Sequence, residues 1–80
     1  MTVTVRVPDG ADADLTTDAQ RRLSRADGVL AVAVEDLRGL RPGLSATEVT
    51  IRVTVETDAP TTQSLRDSLT ALTGVEAVEP

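Results

Sequence analysis

Residues 23–32, LSRADGVLAV, and residues 69–78, LTALTGVEAV, carry the same pattern 46 positions apart. Leu23, Ala26, Gly28, Val29, Ala31 and Val32 match Leu69, Leu72, Gly74, Val75, Ala77 and Val78 in turn. The end of a helical stripe, a glycine where a left-handed C-terminal cap belongs, and the opening of a strand therefore recur as a unit. A strand precedes each copy. Thr2 to Val7 alternates Val3, Val5 and Val7 with Thr2, Thr4 and Arg6. Thr47 to Thr57 sets Val49, Ile51, Val53 and Val55 inward against Glu48, Thr50, Arg52, Thr54 and Glu56 outward.

The segments between follow from this frame. Pro8, Asp9 and Gly10 break the first strand, and from about Asp12 to Asp27 Leu15, Ala19, Leu23 and Ala26 fall at helical spacing. Asp18, Arg21, Arg22 and Arg25 form the polar face, and Asp12 or Asp14 caps the first turn. A second strand covers about Val29 to Glu35, with Leu30, Val32 and Val34 facing one way and Ala31, Ala33 and Glu35 the other. Asp36 to Ala46, with Gly39, Pro42 and Gly43 and no clean period, reads as a loop. Asp58, Ala59 and Pro60 end the third strand, with Pro60 starting a helix whose stripe is Leu65, Leu69 and Leu72. Gly74 closes that helix, and Val75 to Val78 makes a last strand. Two βαβ halves, about residues 2–35 and 47–79, then predict one α+β domain over residues 1–80. The expected architecture is a ferredoxin-like βαββαβ sandwich, an antiparallel four-stranded sheet in the order 4-1-3-2 with two helices on one face.

Composition removes whole classes of chemistry. The chain has no Cys and no His, so disulfides, thiolate or histidine-based nucleophilic catalysis and soft metal sites are excluded. The carboxylates are scattered over loops and helix surfaces, and no enzyme activity or cofactor is expected. A net charge of −5 argues against nucleic acid and anionic membranes as partners. No apolar run spans a bilayer and no leader pattern opens the chain, so a cytoplasmic location is expected. Met1 directly before the first strand fits a complete gene product. Lys, Asn, Phe and Tyr, whose codons are A/T-rich, are missing and every basic residue is Arg; a high-GC genome is the economical explanation. A core of Val, Leu and Ala without aromatic residues is a first hint that a partner covers further apolar area.

Among domains of this topology, Gly74 to Val78 resembles the ending of heavy-metal-binding domains, but residues 8–14 hold no Cys pair where those domains carry their metal. RNA-recognition domains carry aromatic residues on the open sheet face. That face here holds Thr2, Thr4, Arg6, Thr50, Arg52 and Thr54, with Arg6 and Arg52 as its charges. The stretches Glu48 to Val53, Ser68 to Leu72 and Gly74 to Val78 resemble the ACT-like regulatory domains, including soluble tails of some transport and virulence proteins of the magnesium-stress type. The resemblance implies pairing into dimers. It also implies an amino-acid site at a Pro-Gly turn after the first strand, where this chain has Pro8, Asp9 and Gly10 in a different order.

Three candidate sites follow. In the 4-1-3-2 order the second strand is an edge, and Leu30, Ala31, Val32, Ala33 and Val34 form an uncharged template for a homodimer or a partner strand. The competing reading has the following loop fold back over that edge. The loop residues Leu37, Arg38, Leu40, Arg41 and Leu44 form a second candidate surface, unless the leucines pack on the domain itself while the arginines stay solvated. A small ligand near Asp9, Gly10 and Asp12 is the third, against simple helix capping. Two functions remain: a non-enzymatic interaction or regulatory module acting by self-association or as an accessory subunit, and an ACT-like sensor of an amino acid or nucleotide.

Overall fold

The computed structural model of the chain describes residues 1–10 and 14–79. In chain order its elements are β1 (Thr2–Pro8), α1 (Leu15–Leu23), β2 (Val29–Pro42), β3 (Ala46–Thr57), α2 (Thr62–Thr70) and β4 (Val75–Glu79). The sheet runs β2-β3-β1-β4, the expected 4-1-3-2 order read from the other edge, and every neighbouring pair is antiparallel.

The alternation of β1 and β3 becomes the core. Val3 lies opposite Ile51 and Val5 opposite Val49. These four and Val7 have no solvent exposure, and they pack with Ala19 and Leu23 of α1 and Leu65 and Leu69 of α2 in one cluster. Both helices therefore cover the same face of the sheet.

Local chemistry fixes the helix ends. The Asp14 carboxylate accepts from the Thr17 backbone N–H at 2.8 Å and from the hydroxyls of Thr16 and Thr17. Those bonds, the Thr17 backbone N–H foremost, hold its pKa below the ordinary aspartate value. The alternative cap Asp12 lies outside the described residues. The helix stops at Leu23, short of the expected Asp27, but the Ala26 N–H donates to the Leu23 carbonyl at 3.2 Å and the turn keeps Ala26 in the core. Asp18, expected on the polar face, is buried and pairs with Arg22 at 3.1 Å. Pro60 does not start α2. Thr61 does, its hydroxyl accepting from the Ser64 N–H at 3.0 Å, which a prolyl ring has no oxygen to do.

The matched glycines are required by geometry. Gly28 and Gly74 adopt φ of 78° and 93°, and a Cβ on Gly74 would stand 3.2 Å from the Arg6 carbonyl oxygen. Arg6 in turn donates its N–H to the Gly74 carbonyl at 2.7 Å, so the end of α2 is tied to β1.

The largest departure from expectation is β2. Residues 36–42, read as loop, continue the strand, and the chain turns only at residues 43–45, with the Gly43 N–H donating to the Ala46 carbonyl at 2.8 Å. The register with β3 shifts three times, between Val29 and Ala31, Val34 and Asp36, and Leu37 and Gly39. Each shift is a bulge that adds one residue to β2. Val34, Leu37 and Leu40 consequently share one face three residues apart, and the period of two is lost although the chain stays extended. At ~3.3 Å per residue a strand as long as β3 spans roughly 36 Å. Only the longest of the 38 × 22 × 21 Å dimensions accommodates it.

Candidate interaction site on the edge strand

Among the described residues β2 pairs with β3 and with no other strand, so one side of its backbone has no strand partner. Its inward residues Val32, Val34, Leu37 and Leu40 lie opposite Val55, Val53, Ile51 and Val49. Ala31, Ala33, Asp36, Gly39 and Arg41 lie opposite Glu56, Thr54, Arg52, Thr50 and Glu48, on the face without helices. The expected facing of Ala31, Val32, Ala33 and Val34 is the observed one. Leu30 is a correction: the first bulge leaves it outside the register, and it is 67% exposed rather than turned inward.

The helix layer reaches β2 at Val32, whose carbonyl accepts from Gln20 Nε2 at 2.7 Å. Farther along, Leu37 and Leu40 face the helix side yet remain 44% and 50% exposed, and Leu44 at the turn is fully exposed. Of the loop candidates, Leu37, Arg38, Leu40 and Arg41 thus stand on a strand and Leu44 on the turn. Arg38 forms an exposed ion pair with Asp36 at 3.2 Å, and Arg41 lies opposite Glu48. Among the described residues, the exposed large hydrophobic side chains are Leu30, Leu37, Leu40 and Leu44, all on β2 or its turn. Comparison with protein-family models, curated proteins and solved structures returns no match.

A second feature crosses the open face at the hairpin end. The register aligns Arg41, Glu48 and Arg6 on β2, β3 and β1. Glu76 on β4, displaced by a bulge opposite Thr4 and Val5, joins them around a hollow of about 300 Å³. Arg6 Nη2 also donates to Ser45 Oγ at 3.3 Å. Arg41 and Glu76 thus add charge to the open face beside Arg6, Arg52 and the outward Glu48 expected from sequence. The outward positions of β2 and β4 depend on bulges, which leave no mark in a residue pattern, and this row could not be assembled without them.

The hydrogen bond between the Glu76 and Glu48 carboxyls raises the pKa of Glu76 above its ordinary 4.5. Desolvation and repulsion from Glu48 add to that, while Arg6 opposes it. A carboxyl whose folded pKa is raised stabilises the fold while protonated, and the contribution disappears as pH rises through that pKa. Glu76→Gln keeps a donor for Glu48 at every pH. Thermal midpoints of the two proteins should therefore diverge from below pH 4.5 to neutral, with the unmodified protein losing ground. Parallel curves would show that the two carboxyls share no proton.

The ligand candidates Asp9 and Gly10 are exposed. The Asp9 N–H donates to the Ser45 carbonyl at 3.0 Å, Gly10 has φ of 86° with open space around it, and Asp12 lies outside the described residues. Asp9 is thereby tied to the hairpin turn. Among the described residues no group of three or more His, Cys, Asp or Glu is placed to hold a metal ion, and no helix is long and apolar enough to cross a membrane.

Proposed function

We propose that the chain is a non-enzymatic interaction or regulatory module, acting by self-association or as an accessory subunit of a larger assembly, through the free edge of β2. The observation that carries this reading is the confinement of the exposed leucines to one edge strand and its turn. Clustered apolar side chains beside unpaired backbone groups favour strand addition, because pairing satisfies the amides and removes the leucines from water together. A core without aromatic residues makes the added burial matter more.

Sedimentation equilibrium over the micromolar range, with hydrogen exchange on the same samples, is the test. The expected result is a species larger than the monomer, with the β2 amides protected in proportion to its population. A monomer throughout, with β2 amides exchanging freely, would remove self-association.

A second reading is the ACT-like sensor. The hollow lined by Arg6, Arg41, Glu48 and Glu76 favours it, since charges of both signs match an amino acid's carboxylate and ammonium. Thermal shifts with a panel of amino acids and nucleotides separate the two. A stabilising ligand whose effect is lost in Arg41→Ala supports the sensor, and no shift with any of them leaves pairing.

A further inference from the structure

Resting on the association reading above, we infer that the partner of β2 is a second copy of this chain, docked antiparallel about a two-fold axis at Leu37. In a two-fold antiparallel pair, residues equally far before and after the axis lie opposite each other. About Leu37, Val34 meets Leu40 and Val32 meets Pro42, and the register with β3 puts all of these on the helix side. Ala33 meets Arg41 on the open face. Asp36 meets Arg38, so the ion pair that each chain makes within itself at 3.2 Å can be exchanged for one to the other chain. Leu30 and Leu44, the two most exposed leucines, stand seven positions on either side of Leu37.

Bulges ordinarily discourage edge pairing. Here those after Val34 and after Leu37 space the inward residues three apart on both sides of Leu37, so the inward positions read the same in either direction. Moving the axis by half a residue sets Leu40 opposite Ala33, inward against outward. An axis at Ala33 keeps the faces matched over its neighbours but leaves Leu40 and Leu44 with no strand opposite. The Leu37 axis covers Leu37 and Leu40, the exposed leucines within the strand register, and pairs opposite charges.

Charge reversal tests the axis directly. Asp36→Arg sets the introduced guanidinium against Arg38 of the second copy, and Arg38→Asp sets two acids together. Each variant should pair at least tenfold more weakly than the unmodified protein in sedimentation. Mixing the two should restore a pair, seen in native mass spectrometry as the heterodimer, because opposite charges then meet on both sides of the axis. Both side chains are about half exposed, so the fold should tolerate the changes. Combining the reversals in one chain, with circular dichroism to check folding, restores the homodimer and separates charge from misfolding. If the unmodified protein pairs but neither reversal weakens it, or mixing restores nothing, the axis is wrong and the association reading stands. If the unmodified protein is monomeric throughout, both fall.

Discussion

Leu69→Ala is expected to cost about 2–5 kcal/mol of folding stability, and Leu23→Ala a similar amount, since truncating a buried leucine loses transfer free energy and leaves a cavity. Both side chains are fully buried, and they occupy equivalent places in the two halves, each closing its helix against the valines of β1 and β3. A domain of this size has a total stability of roughly 4–12 kcal/mol. Either change should therefore leave the fold marginal. The core has no large ring to relax into the vacated space, which places the expected cost in the upper part of the range. With no Trp, Tyr or Phe to report by fluorescence, the measurement is urea unfolding followed by far-ultraviolet circular dichroism. It belongs at low protein concentration, where association contributes least to apparent stability. A loss below about 1 kcal/mol would mean that the site collapses freely and is not close-packed. Leu44→Ala is the internal control: its side chain is fully exposed, and its removal should leave monomer stability nearly unchanged.

What was legible in the sequence and what was not follow from one physical difference. Wherever chain and partner advance residue for residue, periodicity projects directly onto structure. Alternation alone turns Val3, Val5, Val7, Val49, Ile51 and Val53 inward, helical spacing does the same for Leu23, Ala26, Leu65 and Leu69, and all are buried. The glycine match carried the topology, because only residues free to take positive φ fit at Gly28 and Gly74. β2 breaks the correspondence. Its bulges insert residues that have no opposite number on β3, so Leu30, inward by alternation, is exposed. The same bulges space Leu37 and Leu40 like a helix or a loop while they lie on a strand. Glu76 was hidden for the same reason, and with it the charged row across the open face. The edge itself was legible from strand order, but its length and the identity of its exposed leucines were set by register.

Ala33→Arg should leave the domain folded and make it monomeric. Ala33 lies on the open face opposite Thr54 and is exposed, so a long polar side chain there displaces no core residue. Pairing along β2 nevertheless brings it close to a second copy. With the axis at Leu37, the introduced guanidinium would oppose Arg41 of that copy twice over, and with the axis at Ala33 it would oppose its own equivalent. Like charges set together at an interface cost several kcal/mol in unfavourable cases, or roughly two orders of magnitude or more in dissociation constant. Sedimentation equilibrium beside circular dichroism reads both halves of the expectation. Loss of fold would show that Ala33 needs its small side chain for packing, and unchanged assembly would take the interface away from this strand. Ala33→Glu then separates the axes. Opposite Arg41 the new carboxylate is attractive and pairing should tighten, whereas opposite its own copy two carboxylates repel and pairing should weaken as it does for arginine. Raising the salt concentration should shrink both differences, because charges at a solvated edge are screened within about 8–10 Å at physiological ionic strength. A salt-insensitive loss of pairing in Ala33→Arg would instead point to the bulk of the side chain, and to a closer approach of the two sheets than charge pairing alone requires.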